Sequence, residues 1–187
     1  FYCEVRILMG VKAVIAGTLA TLVIGGTAYT VNQKDVVNNF ANDTGLTQQQ
    51  AKDYVDNVNK DDLIPYDQLG SSFVKDGQDV LNVARQIDCV NYQYEWETTT
   101  MSCDQGKAQL SKLGTDEVSL GNSFVVLSKD TASKSDISTT ISIATSVGAD
   151  LDAEIVSKIL DPATIDTAKK SNSYNKAILQ AALNNAK

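Results

Sequence analysis

The sequence predicts an all-α protein, an antiparallel helical bundle of three long helices plus shorter ones, and three observations carry that prediction. Apolar residues recur at alternating spacings of three and four over three long stretches, the period of a helix. Only two prolines, Pro65 and Pro162, interrupt 187 residues, and both fall where an apolar pattern breaks or stops. Aromatic residues make up 6%, few for the array of short strands that an all-β domain needs. With 43% hydrophobic and 21% charged residues, the composition is that of a chain that folds.

Ahead of the bundle, residues 13–31 form a run of nineteen without a charge, preceded by Arg6 and Lys12 and followed by Lys34 and Asp35. An apolar signal or anchor helix is expected there, since a helical bilayer span takes about 20 mostly apolar residues. The run also reads as a cleaved secretory signal. In that reading Lys12 is the positive start, Gly25-Gly26 the helix break and Ala28 the end of a small-residue cleavage site. A buried core helix of a cytosolic protein is the third reading. The first methionine is Met9, and the stretch from there onward resembles the opening of an export signal. The expected organisation is residues 1–31 as signal peptide or transmembrane signal anchor, 32–65 as short helices and connector, and 66–187 as the bundle. Export would place the domain in the periplasm or outside the cell, or tether it to the outer face of a membrane through residues 13–31.

The elements follow in order. Val36, Val37 and Phe40 mark a short helix near 35–42. Ala51, Tyr54, Val55 and Val58 mark another over 48–59, opened by a Thr47–Gln50 capping box. From Asp67, the stripe Leu69, Phe73, Val80, Val83 or Ala84, Ile87 and Val90 predicts a helix of about six turns, with Asp76 its one polar interruption. Leu110, Leu113, Glu117, Leu120, Phe124 and Leu127 form a second stripe. Its Gly114 and Gly121 weaken helicity by about 1 kcal/mol each and permit close helix approach. A third stripe, Ile137 to Ile159, starts after Asp136 as N-cap and stops before Asp161-Pro162. Beyond Pro162 a last helix is expected, with a polar interruption at Ser171 to Ser173. Connections of a dozen residues or fewer suit an antiparallel bundle.

Charge and cysteine usage bound the chemistry. The chain has no histidine, which removes serine–histidine and cysteine–histidine nucleophiles and imidazole metal sites. Leaving out Arg6, Lys12 and Glu4, residues beyond 31 carry 14 bases against 22 acids, and no basic face for nucleic acid is visible. Cys89 and Cys103 lie at the end of one long helix and the start of the next, the spacing of a disulfide that closes a helical hairpin. Such a bridge stabilises a fold by about 3 kcal/mol on the chain-entropy account. Two cysteines without histidine do not complete a zinc site, and C-x-x-C is absent. No metal site, cofactor or catalytic residue is expected. Asp150, Asp152 and Glu154 alternate like calcium-loop oxygens but lack the glycine turn and distal glutamate, so a solvated helix face is the expectation.

Between the cysteines, Tyr92, Tyr94 and Trp96 alternate with polar residues and share one face if the segment is extended. They are the binding candidates, either as a recognition surface of rigid rings or as a cap that closes the open end of the bundle. An apolar segment, some thirty residues, then Asp62-Leu63-Ile64-Pro65 before a long helix is similar in layout to the LemA family of membrane-anchored bacterial helical proteins. The resemblance covers four residues, and the chain departs from the family by its paired cysteines and its polar region before residue 60; no functional residue carries over. The expected function is a non-enzymatic exported or membrane-anchored bundle that binds a protein or cell-surface partner. The alternative is a small-ligand carrier or sensor whose pocket would be lined by Asp76, Glu117 and Asn122.

Overall fold

The computed structural model describes residues 19–24, 27–58, 65–91, 96–98 and 100–185. Two strands, β1 (Leu19–Ile24) and β2 (Thr27–Asn32), precede seven helices among these residues. The helices are α1 (Gln33–Thr44), α2 (Gln48–Val58), α3 (Tyr66–Gln86), α4 (Cys103–Leu127), α5 (Lys134–Asp150), α6 (Glu154–Ile159) and α7 (Pro162–Asn184).

The expected signal or anchor helix over 13–31 is corrected here. From residue 19 onward the described part of that run is an antiparallel hairpin, with Leu19 paired to Asn32 and Ile24 to Thr27; residues 13–18 lie outside the described residues. Threonine and valine favour a pleated strand, and the two positions between Ile24 and Thr27 are Gly25 and Gly26, residues suited to a two-residue reversal. Burial has a period of two, with Tyr29 and Val31 inside and Ala28 and Thr30 outside. β2 packs against α7 and α1. Among the described residues no helix is long and apolar enough to cross a membrane.

Local signals set the helix ends. Asn32 caps α1 by accepting from the Lys34 N–H, and Gly45, at φ 70°, closes it in the left-handed region that glycine adopts without strain. Thr47 and Gln50 bond reciprocally at the start of α2, at 3.3 and 3.0 Å. Ser102 with Gln105 makes a full capping box for α4. In α5 the N-cap is Ser133, and Asp136, expected to be the cap, is its reciprocal partner three residues on. Asp161 caps α7 by accepting from Ala163 and Thr164, with Pro162 in the first turn.

Two further expectations are revised. The third stripe is two helices: the chain turns at Leu151–Ala153, Ala153 is extended, and α6 packs on α4. Leu151, Ile155 and Val156 are all buried, so the apolar period continues through the turn and conceals it. The last helix is uninterrupted and centrally placed. Residues 171–179 are buried without a gap, because α1, α5 and β2 surround α7. Two of its buried amide donors are satisfied inside the bundle: Asn172 Nδ2 donates to Ala144 O at 2.7 Å and Asn175 Nδ2 to Ser171 O at 2.9 Å.

The helices pack in the sequence α3, α4, α5, α7, α1. Phe124 is stacked between Tyr66 and Phe73 at centroid distances of 5.5 and 5.8 Å, joining α3 to α4. Phe40, Tyr54 and Tyr174 form a second cluster that fixes α1 and α2 to α7. The closest approach is between α3 and α4, where Gly70 meets Gly121 and Gly77 meets Gly114, as the glycines of the second stripe allow.

Candidate functional site

At one end of the α3–α4 hairpin, Cys89 and Cys103 form a disulfide with Cα atoms 5.6 Å apart. α3 ends at Gln86, one residue short of Ile87, and Lys107 of α4 donates to the Ile87 carbonyl at 2.8 Å. The Asp88 carboxylate then turns the chain by accepting from the Val90 and Asn91 N–H groups at 3.0 and 3.1 Å and from Asn91 Nδ2 at 2.6 Å. These bonds hold the Asp88 carboxyl below the usual carboxylate range. Val90, expected to continue the apolar stripe, is outside the helix and 90% exposed, the one large apolar side chain so exposed among the described residues.

Of the three aromatic candidates, Trp96 is half-buried against the core. Tyr92 and Tyr94 lie outside the described residues. Glu97 and Thr100 of the loop are tied to α6: Lys158 Nζ donates to Glu97 O at 2.6 Å, and Thr100 Oγ1 to Glu154 Oε2 at 2.5 Å. Met101 is buried beneath it. Sequence reading did not find α6 as a clamp on this loop, since Glu154 and Lys158 look like ordinary helix-surface charges.

A second feature is the pair of buried carboxyls between α3 and α4. Asp76 and Glu117 are 5% and 3% exposed. Glu117 Oε2 has no hydrogen-bond partner. Burial, then the proximity of Asp76 and Asp150, pushes the Glu117 carboxyl up to about 8. Nearby, Lys112 joins α4 to α5 by bonding Asp116 at 2.9 Å and both Asp150 oxygens at 2.7 Å. Asn122, the third member of the expected ligand pocket, is exposed and is not brought to the pair. A carboxyl pushed up by burial links stability to pH.

The third feature is a polar cleft of about 380 Å³ between the end of α1, the last turns of α5 and the middle of α7. Lys176 of α7 reaches Asp43 of α1, and Lys169 of α7 reaches Asp152 beyond α5. Lys170 pairs with Asp166 one turn back, at 2.6 Å. Asp150, Asp152 and Glu154 therefore go to three different partners, Lys112, Lys169 and Thr100, as solvated or ion-paired side chains do. The one sequence signal for this cleft is the polar break in the α7 stripe at Ser171 to Ser173.

No family model matches the chain. Neither a curated protein nor a solved structure matches it. Of the four residues of the LemA-like layout, Pro65 stands at the N-cap of α3, and Asp62, Leu63 and Ile64 lie outside the described residues.

Proposed function

We propose that the protein is an exported, non-enzymatic helical bundle that binds a partner protein or cell-surface component through the disulfide-closed end of its α3–α4 hairpin. One observation supports this reading most: Val90 is 90% exposed directly beside Cys89, on a turn held by the disulfide and by the Asp88 bonds. An apolar side chain in water on a rigid support offers contact area at little entropic cost. Tyr92 and Tyr94 follow it within four residues in the sequence and extend the same apolar character. Trp96 has the capping role in this reading, because it is packed against the core. Export is favoured by the disulfide, since such bonds persist in oxidising compartments.

The reading is tested by cross-linking pull-down from the native host with Val90→Asp, Tyr92→Ala and Tyr94→Ala combined. Capture is expected to be lost while helicity and melting temperature stay unchanged. Undiminished capture by the folded triple variant removes the site.

A further inference from the structure

We propose that the cleft between α1, α5 and α7 binds a small zwitterion, a molecule bearing one carboxylate and one ammonium or guanidinium group. Its size, about 380 Å³, lies within the range of roughly 300–1,000 Å³ of small-molecule sites. It differs from the pocket that Asp76, Glu117 and Asn122 suggested in the sequence, and it is independent of the hairpin end.

The charge pattern of the wall identifies the ligand class. Three lysines, Lys169, Lys170 and Lys176, and three aspartates, Asp43, Asp152 and Asp166, line it. Each lysine is paired with one aspartate, so the wall is neutral overall. A simple anion entering it meets as many repelling carboxylates as attracting ammonium groups, and a simple cation meets the reverse. A zwitterion places its carboxylate against lysine and its cation against aspartate, without leaving either sign uncompensated. The Lys176 side chain is only 8% exposed, so its charge acts in a medium where electrostatic contacts are stronger than in water.

A glycine shapes the floor. Gly148 and Ser173 line the cleft. A Cβ on Gly148 would come 3.2 Å from Asn172 Nδ2, so the missing side chain leaves the Asn172 amide directly behind the wall. Asn172 is 3% exposed; its Nδ2 donates to Ala144 O, and its Oδ1 has no hydrogen-bond partner. A buried acceptor without a donor is costly, and this one lies behind the cleft wall, outside its lining.

The test is a titration of the full chain, followed by the amide resonances of Gly148 and Ser173. The probes are L-alanine, L-arginine and 5-aminopentanoate, with butyrate, butylamine and inorganic phosphate as single-sign controls. At least one zwitterion is expected to shift both resonances saturably and to bind roughly tenfold or more tightly than any control. Lys176→Gln is expected to weaken that response roughly tenfold. Equal or tighter binding of butyrate, butylamine or phosphate overturns the proposal, as does a panel that leaves both resonances in place. The comparison among probes is made on the unaltered protein, so it stands even if Lys176→Gln does not fold.

Discussion

Gly70 and Gly121 face each other across α3 and α4 so closely that a Cβ on Gly70 would lie 2.4 Å from the Gly121 carbonyl oxygen. The relation is reciprocal, since a Cβ on Gly121 would lie 2.5 Å from Gly70 O. Gly77 and Gly114 repeat it one heptad along, at 2.6 and 2.7 Å. Four glycines in one antiparallel register bring the two backbones together and let Phe73 and Phe124 stack across the seam. That contact aligns the helices so that Cys89 and Cys103 meet at their end.

Alanine at Gly70 or Gly77 is expected to destabilise the fold. Alanine improves intrinsic helicity by about 1 kcal/mol, but a methyl group against a backbone oxygen forces the helices apart, at about 3 kcal/mol. The net loss of about 2 kcal/mol is read from the midpoint of denaturant unfolding. Unchanged or higher stability would mean that the glycine seam does not set the helix separation.

Glu117 makes stability depend on pH. Its carboxyl has an ordinary value of 4.5 and is pushed up to about 8 in the fold. Between those values the folded chain holds a proton that the unfolded chain has released, so stability falls as pH rises through this window and levels off above it. At full slope the fall is about 1.4 kcal/mol per pH unit. Glu117→Gln, which keeps the shape and stays neutral, should match the wild type near pH 4 and exceed it in melting temperature at pH 8. Parallel curves for the two proteins across this range would place the titration elsewhere.

Loss of the disulfide is expected to cost about 3 kcal/mol. Cys89→Ser with Cys103→Ser should lower the unfolding midpoint by that amount, and reduction of the wild type should reproduce it. Equal midpoints for oxidised and reduced protein would show that α6 and the Lys107 contact alone hold the hairpin end.

Asp43→Asn leaves the buried Lys176 ammonium without its carboxylate, and is expected to cost about 3 kcal/mol. Adding Lys176→Met to Asp43→Asn should restore much of that loss, because both charges are then gone. A double variant as unstable as the single one would assign the effect to packing of α1 on α7.

Much of the bundle was legible because its signals are local. The stripes of α3 and α4, the Thr47–Gln50 box and the Cys89–Cys103 spacing each depend on a few neighbouring residues. The β-hairpin was not, since an uncharged run of nineteen residues satisfies a helix and a strand pair alike. Gly25-Gly26, with valine and threonine on both sides, was the one discriminating sign. The break between α5 and α6 was hidden by an apolar period that passes through it. Lys169, Lys170 and Lys176 carry no pattern in the sequence that marks a cleft. Lys176 pairs with Asp43, more than a hundred residues away, which no local pattern connects to it.

The measurement that tests recognition by the hairpin end most directly is site-specific photo-cross-linking in the native host, with the reactive side chain at position 90 and, as control, at exposed position 130. The account predicts one discrete adduct from position 90, none from position 130, and loss of the adduct when Cys103→Ser opens the hairpin. Identical patterns from both positions, or no adduct from position 90, would contradict it.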